Sequence, residues 1–327
     1  MGISSISDFR SGQHLNTCPD NQGGLCLVKG ADSGEWISPV FPATEPFDWA
    51  VASWNGRGKL IEVQVRTAVG DEWGPWFSYG RWSEGPERCS LPEQVVPGVG
   101  RMDTDTLRLE RPADRWQMRI RLQQAAVKRV FLATARAGTI CEEEPCREAW
   151  GVDLPVPCRS QMLYLEGGRA WCSPTSLAMV MAYWGRHESI PQQVAPGVYD
   201  SIYQGHGNWA FNVAYAATRG FVAYVDRFRS LADLERRIAV GIPVIASVAY
   251  QRTWLPNAPI DFTSGHLLVV RGFTTRGDVI VNDPAAAPDE RVRLIYRRDL
   301  FRRAWLERGG VVYLIWPEGL SAAVQVG

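Results

Sequence analysis

From Glu35 to Arg136 apolar and polar residues alternate with a period of two, and no helical period interrupts them. Ile61, Val63, Val65 and Thr67 fall on one side of their segment, and Glu62, Gln64 and Arg66 on the other. Trp116, Met118, Ile120 and Leu122 alternate in the same way with Gln117, Arg119, Arg121 and Gln123. Successive strand side chains point to opposite faces, so this period means strands with one apolar and one wet face. Asn55-Gly56, Gly70-Asp71, Gly74-Pro75, Gly85-Pro86 and Pro97-Gly98 punctuate them as turns. Residues 31–137 are therefore expected to form an all-β sandwich of jelly-roll type. Residues 1–30 are rich in Gly, Ser and Asn without a period, and read as a flexible arm.

The pattern then changes. Residues 138–154 hold the acidic run Cys141-Glu142-Glu143-Glu144-Pro145-Cys146 and read as a linker. From residue 155 to 327 helix signals come first. Ser173 and Pro174 suit a helix start, Leu177, Val180, Met181 and Trp184 recur at helical spacing, and Gly185 ends the run. Asn208 precedes a short helix, Trp209 to Thr218, and Ser230 caps Leu231 to Val240. Apolar strands follow at Pro243 to Tyr250, His266 to Phe273, Asp278 to Asn282, Arg291 to Tyr296 and Val311 to Trp316. Helices followed by antiparallel strands make this half α+β.

Composition narrows the functional classes. The 35 basic and 35 acidic side chains cancel, so no field draws in nucleic acid or an anionic membrane surface. No apolar run reaches the ~18 residues of a membrane span. The opening residues lack a basic leader followed by an apolar run, so no signal peptide is expected. The default compartment is then the cytoplasm, or the outside of the cell if a leader was removed. Seven cysteines are too few for a disulfide scaffold of this length. Cys141 and Cys146 have no accompanying histidines for zinc, which leaves a local disulfide or two idle thiols. Of the 14 Trp, Trp36, Trp49, Trp54, Trp73, Trp76 and Trp82 belong to the β domain. Aromatics build cores and sugar platforms equally well, so core is the first reading and a glycan contact the second.

One cysteine has the setting of a nucleophile. A thiolate is favoured where a helix N-terminus and an imidazolium converge on it, and Cys172 stands directly before the expected helix. Of the four histidines, His14 is in the arm, His187 lies beyond that helix and His206 is in a Gly-flanked loop. His266 opens the apolar strand Leu267-Leu268-Val269-Val270, where it can be held rigidly and still meet a cleft. It is the candidate base and later acid. Asp283 ends the next strand and can orient that imidazole across a short turn, Thr275-Arg276-Gly277. Gln161, eleven residues before Cys172, is the candidate oxyanion donor beside the Cys172 N–H. No metal or organic cofactor is called for.

Gln, Cys, His and Asp in that order resemble the papain-like cysteine peptidases. The run Val156-Pro157, Ser160-Gln161, Trp171-Cys172-Ser173-Pro174-Thr175-Ser176, Tyr183-Trp184-Gly185, Gly265-His266 and Asp283-Pro284 is similar to family thirty-nine of those peptidases. That family contains bacteriocin leader peptidases and stand-alone bacterial relatives. The resemblance spans roughly residues 155–316 and implies a papain-like peptidase domain acting on a peptide or protein. It makes Cys172 the nucleophile, His266 the base, Asp283 the orienter and Gln161 the oxyanion donor. Gly207-Asn208-Trp209 resembles a segment of the stand-alone relatives that lines the cleft. Trp171, Ser173, Asn208, Trp209 and Gly265 are accordingly the expected substrate-binding positions. Ser173 replaces the usual Gly after the nucleophile, and Leu165 to Arg169 lengthen the approach to it. No transporter domain follows, so cleavage of double-glycine leaders is not carried over.

The expected activity is hydrolysis of peptide bonds through a Cys-His-Asp triad. An amidase or acyl transferase could use the same residues. A protein of another class, binding glycan or peptide on an inactive peptidase fold, would lack hydrolysis and survive loss of Cys172.

Overall fold

The structure, a computed structural model, describes residues 2–320. Residue 1, assigned above to the arm, and residues 321–327, assigned to the peptidase domain, lie outside the described residues. The chain is α+β, and its residues group into two compact units.

The first unit comprises Met1–Ala137, Tyr199–Arg219 and Ala223–Val225. Its strands are β1 (Gly2–Ile6), β2 (Gln13–Leu15), β3 (Thr17–Pro19), β4 (Leu25–Leu27), β5 (Ser33–Ile37), β6 (Phe41–Val69), β7 (Glu72–Trp73), β8 (Phe77–Trp82), β9 (Gln94–Val96), β10 (Gly100–Asp103) and β11 (Thr106–Ala135). All belong to one antiparallel hydrogen-bonded network built on the two long strands β6 and β11. Ala50 of β6 registers with Thr134 on one side and Leu107 on the other, so the two ends of β11 flank the same stretch of β6. Bulges between Arg108 and Trp116 allow that bend.

The first thirty residues correct the reading of a flexible arm. β1 runs along β11, with Ile3 opposite Ala133, and Phe9 and Leu25 are fully buried. Short strands need little apolar periodicity when a neighbouring strand takes up their backbone groups, so composition concealed them. The polar face of the long strands is also less wet than its alternation implies. Arg119 Nε donates to Gln64 Oε1 at 2.6 Å, Gln64 Nε2 to Glu62 Oε1 at 2.6 Å, and Arg66 Nε to Gln117 Oε1 at 2.9 Å. The indole of Trp76 meets the guanidiniums of Arg66 and Arg119, at 4.8 and 4.6 Å. Trp36, Trp49, Trp54 and Trp82 are core.

The second unit comprises Gly138–Val198, Gly220–Val222 and Asp226–Gly327. The helices of the chain are α1 (Cys172–Tyr183), α2 (Pro191–Val198), α3 (Trp209–Thr218), α4 (Leu231–Ala239) and α5 (Arg298–Trp305). The later strands are β12 (Phe221–Arg227), β13 (Val244–Gln251), β14 (Phe262–Phe273), β15 (Val279–Asn282), β16 (Arg293–Tyr296) and β17 (Val311–Pro317), in the sheet order β12-β17-β13-β14-β15-β16. None of the described helices is long and apolar enough to cross a membrane. α1 is buried from Ser173 to Ala182 and is tied to β14 by Ser176 Oγ donating to Leu267 O at 3.1 Å.

α3 groups with the first unit, unlike the linear division at residue 155. Its apolar side chains explain this: the ring of Phe211 packs against Trp82 at 5.7 Å and Trp54 at 6.3 Å. α2, α5 and β12 are not among the elements expected from the sequence. α2 contains Pro196, and β12 is buried at every position and so does not alternate.

The expected linker lies along β14. Gly151 N donates to Phe273 O, Phe273 N to Val152 O, and Leu154 N to Arg271 O, each at 2.9 Å. The approach requires glycine at 272, where a Cβ would stand 2.2 Å from Val152 O. Gly272→Ala is expected to destabilise the second unit by about 1–3 kcal/mol, the usual cost of overpacking, read as a lowered Tm in thermal unfolding.

Candidate active site

α1 begins at Cys172 itself, one residue earlier than its sequence signal. Trp171 occupies the N-cap, and no side chain there takes up an N–H of the first turn. Those donors stay free for a negative charge. Ser173 is no cap: it is fully buried, and its hydroxyl lies 3.0 Å from Tyr313 OH.

β14 brings His266 to the sulfur, opposite Val248 of β13. The imidazole and the Cys172 sulfur interact, each shifting the ionisation of the other. β15 pairs antiparallel with β14, Val269 opposite Asn282, which delivers the next residue, Asp283, to the far side of the ring. His266 Nε2 lies 2.7 Å from Asp283 Oδ1. With Nε2 committed to the carboxylate, Nδ1 is the nitrogen left for the sulfur.

Asp283 is fully buried and well supplied with donors. Ala285 N donates to Oδ1 at 3.0 Å, and Tyr296 OH donates to Oδ2 at 2.8 Å. Tyr296 was not singled out from the sequence. It ends a strand that was foreseen, but its role depends on the β15–β16 register, Val279 opposite Tyr296, which no local pattern reveals. Tyr250 adds a second buried phenol near Asp283. Burial and the Asp283 charge push both phenols up, so they remain protonated.

The electrostatics favour an ion pair. Burial alone would push the Cys172 thiol up. The hydrogen bond and charge of His266, with the N–H groups of Leu267 and Ser173, outweigh this and hold it below its ordinary value. Burial would likewise lower His266, but the Asp283 carboxylate and then the Cys172 sulfur raise it to about 10. Asp283 is held below the usual carboxylate range, since His266, Tyr296 and the Ala285 N–H outweigh its burial.

Gln161 is buried at the start of a short 3-10 turn, Gln161–Leu163, capped by Ser160 Oγ. Its backbone N–H donates to Pro284 O at 2.8 Å. Its side-chain Nε2 donates to Gly168 O at 2.6 Å, and the same carbonyl accepts from Trp171 N at 3.4 Å. Gln161 thus spans from the Asp283 loop to the turn that enters Cys172. Because Gly168 O can only accept, it fixes which end of the amide is nitrogen and leaves one N–H uncommitted. The extra residues from Leu165 to Arg169 therefore position the glutamine.

Trp171 is buried, its ring 5.7 Å from that of Tyr164. Gly167 fits against it only because it lacks a side chain, since a Cβ would stand 2.2 Å from the indole nitrogen. Gly265 is exposed beside His266, and a side chain there would meet open space. Asn208 and Trp209 group with the first unit. Asn208 caps α3 through Phe211 N at 3.2 Å and donates to Asp200 Oδ2 at 2.8 Å, and Trp209 N donates to Asp105 Oδ2. Asn282 and Arg271 support the site from behind. Asn282 Nδ2 donates to Val156 O and Pro157 O at 3.2 Å, and Arg271 Nη1 to Asn282 Oδ1 at 3.1 Å. Cys141 and Cys146 are free thiols, and Cys146 Sγ donates to Glu148 Oε2.

A family model described as "Peptidase_C39 like family" matches residues 153–313, and another, "Peptidase C39 N-terminal domain", matches residues 4–141. Both halves of the chain are thus matched by models of the C39 peptidases. Among solved structures, a C39-like peptidase from Bacillus anthracis is 17% identical, with a TM-score of 0.40, over 51% of this chain and 98% of its own. A GH26-CBM35 β-(1,4)-mannanase from Podospora anserina is 10% identical, with a TM-score of 0.24, over 57% of this chain and 35% of its own. No curated protein matches the chain. The two family models divide this C39-like chain between its β-rich half and the half that carries Cys172.

The lowered thiol of Cys172 sets an expected pH profile. Iodoacetamide should alkylate it selectively well below pH 8, with the rate falling as acid protonates the sulfur. In His266→Ala the profile should move to higher pH, because the largest counterweight to burial is then gone and only the Leu267 and Ser173 N–H groups remain. Tyr296→Phe should move it the same way by less, since it removes one donor to the carboxylate and leaves the imidazole. Mass spectrometry of the alkylated peptide reads all three.

Proposed function

We propose that this C39-like chain is a cysteine peptidase that hydrolyses peptide bonds through Cys172, His266 and Asp283. The observation that carries the reading is the 2.7 Å contact of His266 Nε2 with a fully buried Asp283, on an imidazole whose charge lowers the Cys172 thiol. No metal or cofactor enters the mechanism.

The Cys172 thiolate attacks the scissile carbonyl carbon, forming a C–S bond and placing negative charge on the carbonyl oxygen. The backbone N–H of Cys172 and the uncommitted N–H of Gln161 Nε2 receive that charge. His266 Nδ1 gives its proton to the leaving nitrogen, and the C–N bond breaks to leave a thioester. Nδ1 then takes a proton from water, the hydroxide adds to the thioester, and C–S cleavage restores the thiolate. Asp283 keeps Nε2 protonated throughout and stabilises the imidazolium without accepting its proton. The exposed Gly265 directly precedes His266 on β14 and Trp171 directly precedes Cys172, which suits contact with the peptide on either side of the scissile bond.

Hydrolysis of a denatured protein such as casein, followed by mass spectrometry, tests this. Cys172→Ala and His266→Ala should each abolish cleavage. Gln161→Ala should lower kcat by about 10²–10³ with a smaller effect on KM, as expected of a donor used in the transition state. Cleavage that persists in Cys172→Ala would overturn the proposal.

A further inference from the structure

Outside this site, two sulfurs lie unusually close. Cys18 and Cys26 stand directly opposite each other on the antiparallel pair β3–β4. Their Sγ atoms are 3.6 Å apart, and Cys26 Sγ also reaches Cys18 O at 3.4 Å. Both are half-buried thiols, open to a small reagent. The other sulfurs with a hydrogen-bond partner meet different groups: Cys146 meets Glu148, Cys158 meets Asn282, and Cys172 meets His266.

The backbone geometry suits a covalent bond. Directly opposed residues of an antiparallel pair have Cα atoms about 4.5 or 5.5 Å apart, depending on the pair type. Both values lie within the ~4.4–6.8 Å that a disulfide spans. To reach a bond of about 2.0 Å each sulfur must move by about 0.8 Å, within the reach of a χ1 adjustment. The location gives the bond a purpose. Among the described strands β3 pairs only with β4, and it is three residues long. Such a strand has few hydrogen bonds to hold it, and a cross-strand bond would fasten it to β4, which pairs with the long strand β11.

We propose that Cys18 and Cys26 are an oxidation site that closes to an intrachain disulfide by exchange with a small-molecule disulfide. The Cys18 thiolate attacks one sulfur of the oxidant, the oxidant's S–S bond breaks, and one thiolate leaves with the electron pair. Cys26 then loses its proton and attacks the Cys18 sulfur of the mixed disulfide, releasing the second thiolate. Two protein thiols are oxidised, the oxidant is reduced to two thiols, and two protons pass to solvent or to those thiols. Cys18 leads because burial, and then its own hydrogen bond to Cys26, push the Cys26 thiol up to about 11. Once Cys18 is capped, that hydrogen bond and charge no longer oppose ionisation of Cys26.

The test uses the full chain as Cys172→Ser, so that the site nucleophile does not consume the reagent. The protein is incubated with oxidised glutathione, its remaining thiols are alkylated, and the digest is read by mass spectrometry. Alkylatable thiols should fall from six to four, with a single bridged peptide joining residues 18 and 26. The same incubation in concentrated urea should scatter bridges among the cysteines. Cys18→Ser in the same background should form no intrachain bridge. Persistence of both thiols, two stable glutathione adducts, or a native pattern as scattered as that in urea would each overturn the proposal.

Discussion

The contact between His266 and Asp283 is the constraint around which the second unit is arranged. It removes two opposite charges from water, and leaving either one alone in such a place costs about 3–5 kcal/mol. When the adjacent Cys172 sulfur ionises it adds a third charge, and the set then carries one net negative. Dipoles offset that excess at both ends. At the sulfur they are the N–H groups of Ser173 and Leu267, and at the carboxylate the N–H of Ala285 and the hydroxyl of Tyr296. Each comes from a different element, which is why α1, β14, the loop after β15, and β16 must meet with little tolerance.

The same logic explains the surroundings of Gln161. In the proposed mechanism its amide donates to a developing oxyanion, which requires that something else fix which end is nitrogen. The carbonyl of Gly168 does this, and that carbonyl exists where it does because the chain makes an extra turn from Leu165 to Arg169. An insertion that looks incidental in the sequence is the element that orients the glutamine. Behind it, Asn282 and Arg271 satisfy the carbonyls of Val156 and Pro157. The stretch Val156-Pro157, visible in sequence only as a family resemblance, has a mechanical reason to be where it is: its carbonyls are held by the strand that delivers Asp283.

Much of the candidate site could be read before any coordinates. Cys172, His266 and Asp283 announce themselves through local context: a helix start, the mouth of an apolar strand, and a strand end before proline. Tyr296 could not be read in this way. Its hydroxyl matters because β16 runs beside β15 in a particular register, and register belongs to pairs of strands. Asn208 shows the opposite case. Its place just before a short helix was legible and is observed, but its motif does not reveal which compact unit will claim the helix that it starts. That is decided by whether Phe211 finds Trp54 and Trp82, each more than a hundred positions before it in the chain.

The β-rich half shows why period alone leaves the fold open. Alternation identifies strands and assigns each residue to a face, but it does not say what lies against that face. Glu62 and Gln64 alternate as solvent-facing residues should, yet both are buried, because side chains on neighbouring strands complete their hydrogen bonds and Trp76 stacks against the guanidiniums beside them. A polar face whose groups satisfy one another can be covered at little cost. In the first thirty residues the error runs the other way. Gly, Ser and Asn give no period, but a strand a few residues long needs only a partner for its backbone, and β11 is long enough to supply one to both β1 and β4. What the alternation could not show was that one strand of this length would be shared by so many others.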